Sequence, residues 1–262
     1  VLTINRYPTK DIKKSAQKYR RIGLGIMGLH DLLLMMGYKY SSNEGLKFVD
    51  NLMWFIKNCA YRASVDLAKE KGNFKAFDFE GYSKSEFYQN LDETLKDEIK
   101  QYGIRNCALL SIAPTGTISS ICGVTSGIEP IFAYAYKRKY FKNDKLEVEN
   151  IIHPLYREFI ENNKSVDHFQ SSYDLSVKDH LEIQKVCQKH IDQAISKCVE
   201  KNTLIATNLG IFPIQDLLDK NNIEPDNFYL PNKNYKVIDE NGDLKKITNV
   251  YYGGIKSCYK IK

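Results

Sequence analysis

The sequence lacks any run of about 18 uncharged apolar residues, so it predicts no transmembrane helix. Its first residues lack the basic, apolar and small-residue regions of a signal peptide, and they also lack an initiator Met. The six cysteines include no pair at the spacing of metal ligands or of a redox site. These absences predict a cytoplasmic protein without a metal site, in which most thiols are small buried side chains. We also expect the polypeptide to extend N-terminal of Val1.

A strong charge of one sign is also missing. Lys and Arg together number 38 against 32 Asp and Glu, a net charge of +6. No Lys/Arg cluster is interleaved with aromatic residues, so we interpret the basic residues as solvated surface and predict neither specific nucleic-acid binding nor membrane binding. The apolar fraction of 43% and charged fraction of 27% are typical of a soluble globular protein.

Residues up to about 197 have mainly the period of amphipathic helices. One long helix is predicted, with a capping box of Ser41 and Glu44 at its start and Gly72 at its end. Its apolar residues recur at steps of three and four and would form one face. They are Leu46, Val49, Met53, Ile56, Ala60, Ala63 and Leu67.

Two further helices and one strand complete this part of the prediction. A helix is expected over 87–102, and another begins at Ser176 with Asp179 three residues later. The face of the latter helix would carry Ile183, Cys187, Ile191 and Ala194. The apolar run 107–112 has the length of a strand and leads directly into a tight turn. Strand, turn and helix in succession indicate an α/β fold.

The pattern changes after Cys198. Short β-like runs alternate with turn residues, and one helix is predicted; the runs are 203–207, 236–238 and 247–252, and the helix is 215–220. No flexible linker separates the two patterns, although independently folded domains are usually joined by one. We therefore predict two domains, 1–197 and 198–262, that meet directly.

The turn after the predicted strand has the parts of an anion-binding site. Pro114 would set the turn, and Gly116 would let the backbone approach a ligand. Hydroxyl groups would lie beside the free N–H groups of a helix N-terminus. The candidate phosphate-binding residues are Pro114, Thr115, Gly116, Thr117, Ile118 and Ser119. A turn that only caps a helix is an equally good interpretation of these residues alone.

Residues 23–28 fit a second, competing pattern. Gly-Leu-Gly-Ile-Met-Gly matches the G-x-G-x-x-G fingerprint of an NAD(P)-dependent oxidoreductase. That fingerprint needs a preceding strand and a later acidic residue at a strand end, whereas residues 18–21 are basic and Glu44 is expected in a helix cap. We prefer glycines that permit close helix packing. A non-enzymatic anion-binding module is a further alternative.

Taken together, several ordered segments resemble ribonucleotide reductase catalytic subunits across 1–197. The segment 113–119, Ala-Pro-Thr-Gly-Thr-Ile-Ser, is followed by Ser-Gly-Ile-Glu-Pro at 126–130, which in that family hold the phosphates of the substrate nucleotide. Further similar segments are 4–8, 20–31, 67–72 and 179–197. The resemblance implies the C-terminal part of an α/β barrel.

The resemblance also implies a radical reaction whose cysteine, Asn and Glu residues lie N-terminal of Val1. This chain would then bind substrate phosphate and complete the barrel wall but would be inactive alone. The segments are most similar to the adenosylcobalamin-dependent class II enzymes, with the class I large subunits as the alternative. The implied partners are a ribonucleotide substrate (a ribonucleoside diphosphate or triphosphate), the N-terminal part of the reductase and a second copy in a homodimer.

At Cys198 the similarity to reductases stops, where the family continues with Thr. Residues 198–217 resemble the first conserved block of inteins, the start of an all-β Hint module. A Cys thiolate there could attack the preceding carbonyl and form a thioester. A buried thiol opening an ordinary β domain is the alternative, and a hedgehog-type autoprocessing domain has a similar first block.

The intein interpretation also predicts what is missing. The expected Thr-x-x-His block and the terminal His-Asn do not occur by Lys262. We therefore expect the rest of the intein and a C-terminal extein as partners, and we expect this chain alone not to splice.

Overall fold

A computed structural model describes residues 2–142, 145–196, 204–218, 227–238, 244–247, 250–252 and 258–259. The chain divides into two compact units. The first consists of Val1–Phe132 and His153–Lys197, and the second of Ala133–Ile152 and Cys198–Lys262. Within the described ranges, no helix combines the length and apolarity that crossing a membrane requires.

The first unit contains all the α-helices of the described residues. They are α1 (Lys10–Tyr19), α2 (Leu29–Met35), α3 (Asn43–Lys71), α4 (Phe79–Ser83), α5 (Glu86–Gln89), α6 (Glu93–Tyr102), α7 (Gly116–Cys122), α8 (Pro154–Glu161) and α9 (Val177–Gln188). The long helix α3 packs against α6 and α9. Their facing residues form the core, which includes Val49, Met53, Tyr61, Val65, Leu95, Ile99, Ile183 and Cys187.

Helix α3 runs close to its predicted length, but its N-cap differs from the prediction. Ser42 is the N-cap residue, and its Oγ accepts a backbone N–H of the first turn at 3.1 Å. The predicted capping box of Ser41 and Glu44 is therefore wrong. The Ser41 hydroxyl instead donates to Asp179 Oδ1 at 2.5 Å, which joins the start of α3 to α9. At the other end, Gly72 has a φ of 74°, which glycine adopts without strain.

The other two predicted helices are shorter than expected. The helix predicted over 87–102 is divided into α5 and α6, because Asp92 caps a new N-terminus and accepts the Thr94 N–H at 3.0 Å. The capping box of Ser176 and Asp179 is confirmed. Helix α9 ends at Gln188, so Ile191 and Ala194 lie beyond it and not on its face.

Three extended segments lie side by side in the first unit: the first segment (22–24), the middle segment (108–112) and the third segment (193–196). Parallel bridges join Leu24 to Leu110 and Ile112 to Ile195. The Leu24 N–H donates to Leu109 O at 2.8 Å, and the Ser196 N–H donates to Ile112 O at 2.8 Å. Because the segments are parallel, their C-terminal ends emerge at one edge, where α/β folds commonly bind ligands. In the described residues the segments do not close a barrel.

Gly23 and Gly25 serve these segments and not the packing of helices, while Gly28 is the N-cap residue of α2. A Cβ on Gly23 would lie 2.3 Å from Ser111 Oγ, and a Cβ on Gly25 would lie 2.3 Å from Ser111 O. Our expectation of helix packing is therefore wrong, since both glycines allow the first segment to approach the middle segment. The dinucleotide fingerprint also fails, because helix α1 and not a strand precedes Gly23.

The second unit consists of short antiparallel strand pairs. Strand β1 (Ala135–Lys142) pairs with β2 (Lys145–Ile152) and with β9 (Cys258–Tyr259), while β3 (Leu204–Thr207) pairs with β4 (Gly210–Pro213). Two more pairs join β5 (Asn227–Tyr229) to β8 (Val250–Tyr252) and β6 (Lys236–Ile238) to β7 (Leu244–Lys246). In the described part of the helix predicted over 215–220, the structure has one 3₁₀ turn, Ile214–Leu217, and residues 219–220 lie outside the described residues. Leu217, Leu218 and Tyr235 form a small buried cluster.

Candidate phosphate-binding site

The middle segment leads directly into the predicted turn and helix α7. Thr115 is the N-cap residue of α7 and has a φ of 52°, a conformation that a β-branched residue rarely adopts. Its Oγ1 does not cap its own helix but accepts the Gly127 N–H at 3.0 Å. Strain of this kind persists only where the surroundings impose it, and it concentrates at functional sites.

The candidate residues at the start of α7 face solvent. Pro114, Gly116, Thr117 and Ile118 are exposed, and Ile118 keeps 54% of its surface accessible. The first N–H groups of an α-helix have no partner inside the helix, and they carry a partial positive charge. A Cβ placed on Gly116 meets no atom within 4 Å. An anion can therefore reach this backbone without displacing protein atoms.

Ser119 differs from the other candidate residues because it is only 2% exposed. Its hydroxyl lies 3.2 Å from Gly116 O, to which it donates, and 2.8 Å from Ser126 Oγ. The Val124 N–H donates to Ser119 O at 3.0 Å. Ser119 thus joins the turn to the loop that follows α7, and its side chain is engaged inside the protein.

The loop of residues 124–131 is attached to α2 by a buried carboxylate. Asp31 Oδ2 accepts both the backbone N–H and the hydroxyl of Thr125, each at 2.7 Å. The Gly28 N–H donates to Thr125 O at 2.7 Å. Gly127, which contacts Thr115, has a φ of 50°, and a Cβ there would lie 3.2 Å from Ile112 Cγ2. The loop and the turn therefore hold each other against the end of the middle segment.

Two histidines complete this support. His30 Nδ1 accepts the Ile131 N–H at 2.7 Å. His153 Nε2 lies 3.3 Å from Asp31 Oδ1, and burial lowers the pKa of His153 below its ordinary 6.5 although Asp31 opposes the shift. No motif in the sequence predicts a role for His30, Asp31 or His153. The only signal was that His30 and Asp31 end the 20–31 segment that resembles the reductases.

The other candidate residues do not join this site. Cys198, the predicted nucleophile of the junction, lies outside the described residues. Among the described cysteines Cys187 is buried, but Cys59 and Cys122 are exposed, so buried thiols are not the rule. Within the residues that the structure describes, no group of three His, Cys, Asp or Glu side chains could hold a metal ion.

Comparison with known proteins decides the family. Residues 1–205 of the 262 match the sequence profile described as "Ribonucleotide reductase, barrel domain". The chain belongs to this family. The resemblance seen in the sequence is thereby confirmed, and the alternative of an NAD(P)-dependent oxidoreductase is set aside.

Named relatives of the family are ribonucleoside-diphosphate reductases. A "Vitamin B12-dependent ribonucleoside-diphosphate reductase" of Mycobacterium tuberculosis is 32% identical over 220 residues, covering 76% of this chain and 30% of the relative. The protein of the same name from Thermoplasma acidophilum is 32% identical over 220 residues, covering 76% and 27%. A "Ribonucleoside-diphosphate reductase subunit alpha" of Helicobacter pylori is 33% identical over 215 residues, covering 75% and 26%. The chain thus spans less than a third of the length of these relatives.

Proposed function

We propose that this chain is the part of a ribonucleoside-diphosphate reductase that binds the phosphate groups of the substrate. The observation that carries the proposal is the exposed first turn of α7 at the end of the middle segment, where Thr115 is held in a strained conformation by Gly127. The longer protein would convert a ribonucleotide into a deoxyribonucleotide by radical chemistry, with its radical cysteine outside this chain.

The chemistry of the turn suits a phosphate. Backbone N–H groups of residues 116–118 would donate to phosphate oxygens, and the helix dipole would favour their negative charge. The exposed Thr117 hydroxyl would add one donor. Pro114 and Thr115 would orient the backbone so that its N–H groups face the phosphate. Ser119 would act from inside by joining the turn to Ser126. Ile118 would contribute its backbone, because its side chain is apolar.

Calorimetric titration of the 262-residue chain with cytidine diphosphate and with inorganic pyrophosphate tests this proposal. A site built from a few N–H groups should bind with an affinity of about millimolar. Gly116→Val should abolish binding without unfolding the chain, since the added atoms project into open space. Thr117→Ala should weaken binding severalfold. Unchanged affinity in both variants would refute the site.

Thr94→Ala provides the matched control. Thr94 and Thr117 are both exposed, and each is the second residue of its helix, α6 or α7. The two substitutions therefore have similar effects on helix propensity. Thr94→Ala is the harsher control, because it also removes the hydroxyl that accepts from Arg62 at 2.9 Å and donates to Asp92. Equal loss of binding in the two variants would show that Thr117 acts through helix stability and not through a ligand.

We assign the chain to the adenosylcobalamin-dependent class II enzymes, with class I as the alternative. The support is the resemblance in 20–31 and 113–119 together with the names of the relatives from Mycobacterium and Thermoplasma. The Helicobacter relative, a subunit alpha, is similarly identical, so class I stays open. The site described above presents N–H groups and hydroxyls, which suit an anion. We expect adenosylcobalamin to bind mainly outside this chain; a cobalamin requirement of the complete protein would test the class.

A second function is proposed for residues 198–262, that of an incomplete intein. One boundary of the compact units falls between Lys197 and Cys198, although Ala133–Ile152 also belongs to the second unit. The described residues after this boundary form short β-pairs, and Leu217, Leu218 and Tyr235 form a buried cluster among them. The Cys198 thiolate would attack the carbonyl carbon of Lys197, and the amide nitrogen would become the free amine of Cys198. A Thr hydroxyl of the C-terminal extein would then accept the acyl group.

Sequencing of the gene downstream of the Lys262 codon tests this second proposal. A Thr-x-x-His block, a terminal His-Asn and a resumed reductase sequence beginning with Thr would support it. The reductase profile extends to residue 205, eight residues past the proposed junction, which is the observation against it. Reductase sequence resuming downstream without these intein blocks would refute it.

A further inference from the structure

Two consecutive amides of the middle segment bind a carboxylate. The N–H of Leu109 donates to Asp192 Oδ2 at 2.7 Å, and the N–H of Leu110 donates to Asp192 Oδ1 at 2.8 Å. In a regular strand, consecutive N–H groups point to opposite sides. Here both reach one side chain, so the segment bends locally at these residues. The carboxylate takes the place that a neighbouring strand's carbonyl groups would otherwise fill.

The same carboxylate is held from its other side by the core helix α3. The hydroxyl of Tyr61 donates to Asp192 Oδ2 at 2.6 Å, and Tyr61 is only 1% exposed. Burial raises the pKa of Tyr61 well above its ordinary 10.0, so the phenol keeps its proton and remains a donor. Asp192 therefore accepts three hydrogen bonds and connects the helical core to the middle segment.

The residue after Asp192 connects the remaining segment. The side-chain amide of Gln193 donates from Nε2 to Ile22 O at 2.6 Å, and the Gln193 N–H donates to Leu110 O at 3.2 Å. Residues 192 and 193 thus join all three extended segments just before the candidate turn, which begins three residues after Leu110. A displacement of the middle segment would move the turn with it.

We propose that Asp192 is the positioning residue of the phosphate-binding turn, because its carboxylate sets the bend and the register of the middle segment. This inference rests on the proposed phosphate-binding function. Asp192 does not touch the ligand in this account. It acts through Leu109 and Leu110, with Tyr61 orienting the carboxylate.

If Asp192 only stabilised the fold, its loss would have the same effect as the loss of another carboxylate in the same region. Asp50 is such a carboxylate. Asp50 Oδ1 lies 2.8 Å from His190 Nε2, so it attaches the chain to α3 only two residues before Asp192. Its hydrogen bonds go to His190 and Lys189 and not to the middle segment. Loss of the Asp50 carboxylate should therefore destabilise the same region without moving the turn.

The experiment compares Asp192→Asn, Tyr61→Phe and Asp50→Asn in the 262-residue chain. Asn keeps the size of Asp but replaces one acceptor by a donor that faces a backbone N–H. At a temperature where circular dichroism shows each variant folded, affinity for cytidine diphosphate and the amide chemical shifts of 113–118 are measured. We expect Asp192→Asn to weaken binding about tenfold and Tyr61→Phe about threefold, with shifted turn amides in both. Asp50→Asn should lower the melting temperature with unchanged affinity and turn shifts.

Two results would overturn the inference: wild-type affinity with unshifted turn amides in Asp192→Asn, or equal losses of affinity in Asp192→Asn and Asp50→Asn. If Asp192→Asn does not fold, Tyr61→Phe takes its place. Wild-type affinity with unshifted turn amides in Tyr61→Phe, or a loss of affinity equal to that of Asp50→Asn, would then overturn the inference. If the wild-type chain binds no cytidine diphosphate while Asp192→Asn still shifts the turn amides, the phosphate-binding proposal fails and the positioning role stands.

Discussion

Removal of the Asp31 carboxylate should loosen the loop that supports the phosphate-binding turn. In Asp31→Ala, the Thr125 N–H and hydroxyl both lose the oxygen that accepts them at 2.7 Å. Thr125 is 7% exposed, so water cannot readily replace that oxygen. A buried donor left without a partner costs about 1–3 kcal/mol, and a hydrogen bond to a charged group contributes about 1.5–3 kcal/mol. We therefore expect Asp31→Ala to lower the free energy of unfolding by about 3 kcal/mol.

Urea denaturation and thermal melting measure this loss. For a chain of this size, about 3 kcal/mol corresponds to a melting temperature lower by about 6–12 °C. Asp31→Asn should lose much less, because its amide oxygen can still accept from Thr125 while its NH₂ faces His153. Affinity for cytidine diphosphate should fall in Asp31→Ala, since Gly127 would no longer hold Thr115 firmly.

Asp66→Ala is the control for the loss of one negative charge, which it shares with Asp31→Ala. Asp66 is exposed and pairs with Lys69 three residues away, an arrangement that stabilises proteins little. Its loss should change stability far less than the loss of Asp31. If Asp31→Ala is no less stable than Asp66→Ala, the buried carboxylate does not support the loop and the reasoning is wrong.

Three further predictions concern the segments, the caps and the histidines. Gly25→Ala should lower the free energy of unfolding by about 2 kcal/mol or more, because its Cβ would lie 2.3 Å from a carbonyl oxygen of the middle segment. Gly116→Ala should be stable in the same urea assay, and equal losses in the two variants would contradict the placement of the first segment. Ser176→Ala should cost about 1 kcal/mol in urea denaturation by removing the capping box of α9, and an unchanged midpoint would contradict it. Burial lowers the pKa of both His153 and His190 below 6.5, so the native state binds fewer protons than the unfolded state. Stability should therefore be complete above pH 6.5 and fall as the pH decreases through the folded pKa values; a melting temperature constant down to pH 5 would contradict this.

Local signals in the sequence predicted much of the helical unit. The long helix α3, the capping box at Ser176 and the strand-like run 107–112 depend on residues close together in the chain, and each has a counterpart in the structure. The turn 113–119 was likewise found as a turn at a helix N-terminus. Its role in phosphate binding is still a prediction.

Contacts distant in sequence account for what the sequence analysis missed. Ser41 binds Asp179, 138 residues away, so a local capping rule assigned it wrongly. Asp192 lay within the helix predicted from Ser176, so nothing in the sequence indicated its contacts. In the structure its carboxylate accepts hydrogen bonds from amides 82 and 83 residues away. Asp31 supports a loop 94 residues away. The β1–β2 hairpin was missed because β1 pairs and triples its apolar and polar residues, and the alternation in β2 extends only over residues 145–149.

The most direct test of the central claim is a titration of the ¹⁵N-labelled 262-residue chain with cytidine diphosphate, followed by nuclear magnetic resonance. The account predicts that the largest amide shifts occur at Gly116, Thr117 and Ile118 and saturate together. Smaller shifts should follow at Gly127 through its contact with Thr115. Largest shifts elsewhere, as on the lysine-rich helix α1, or no saturable shifts at residues 116–118, would contradict it.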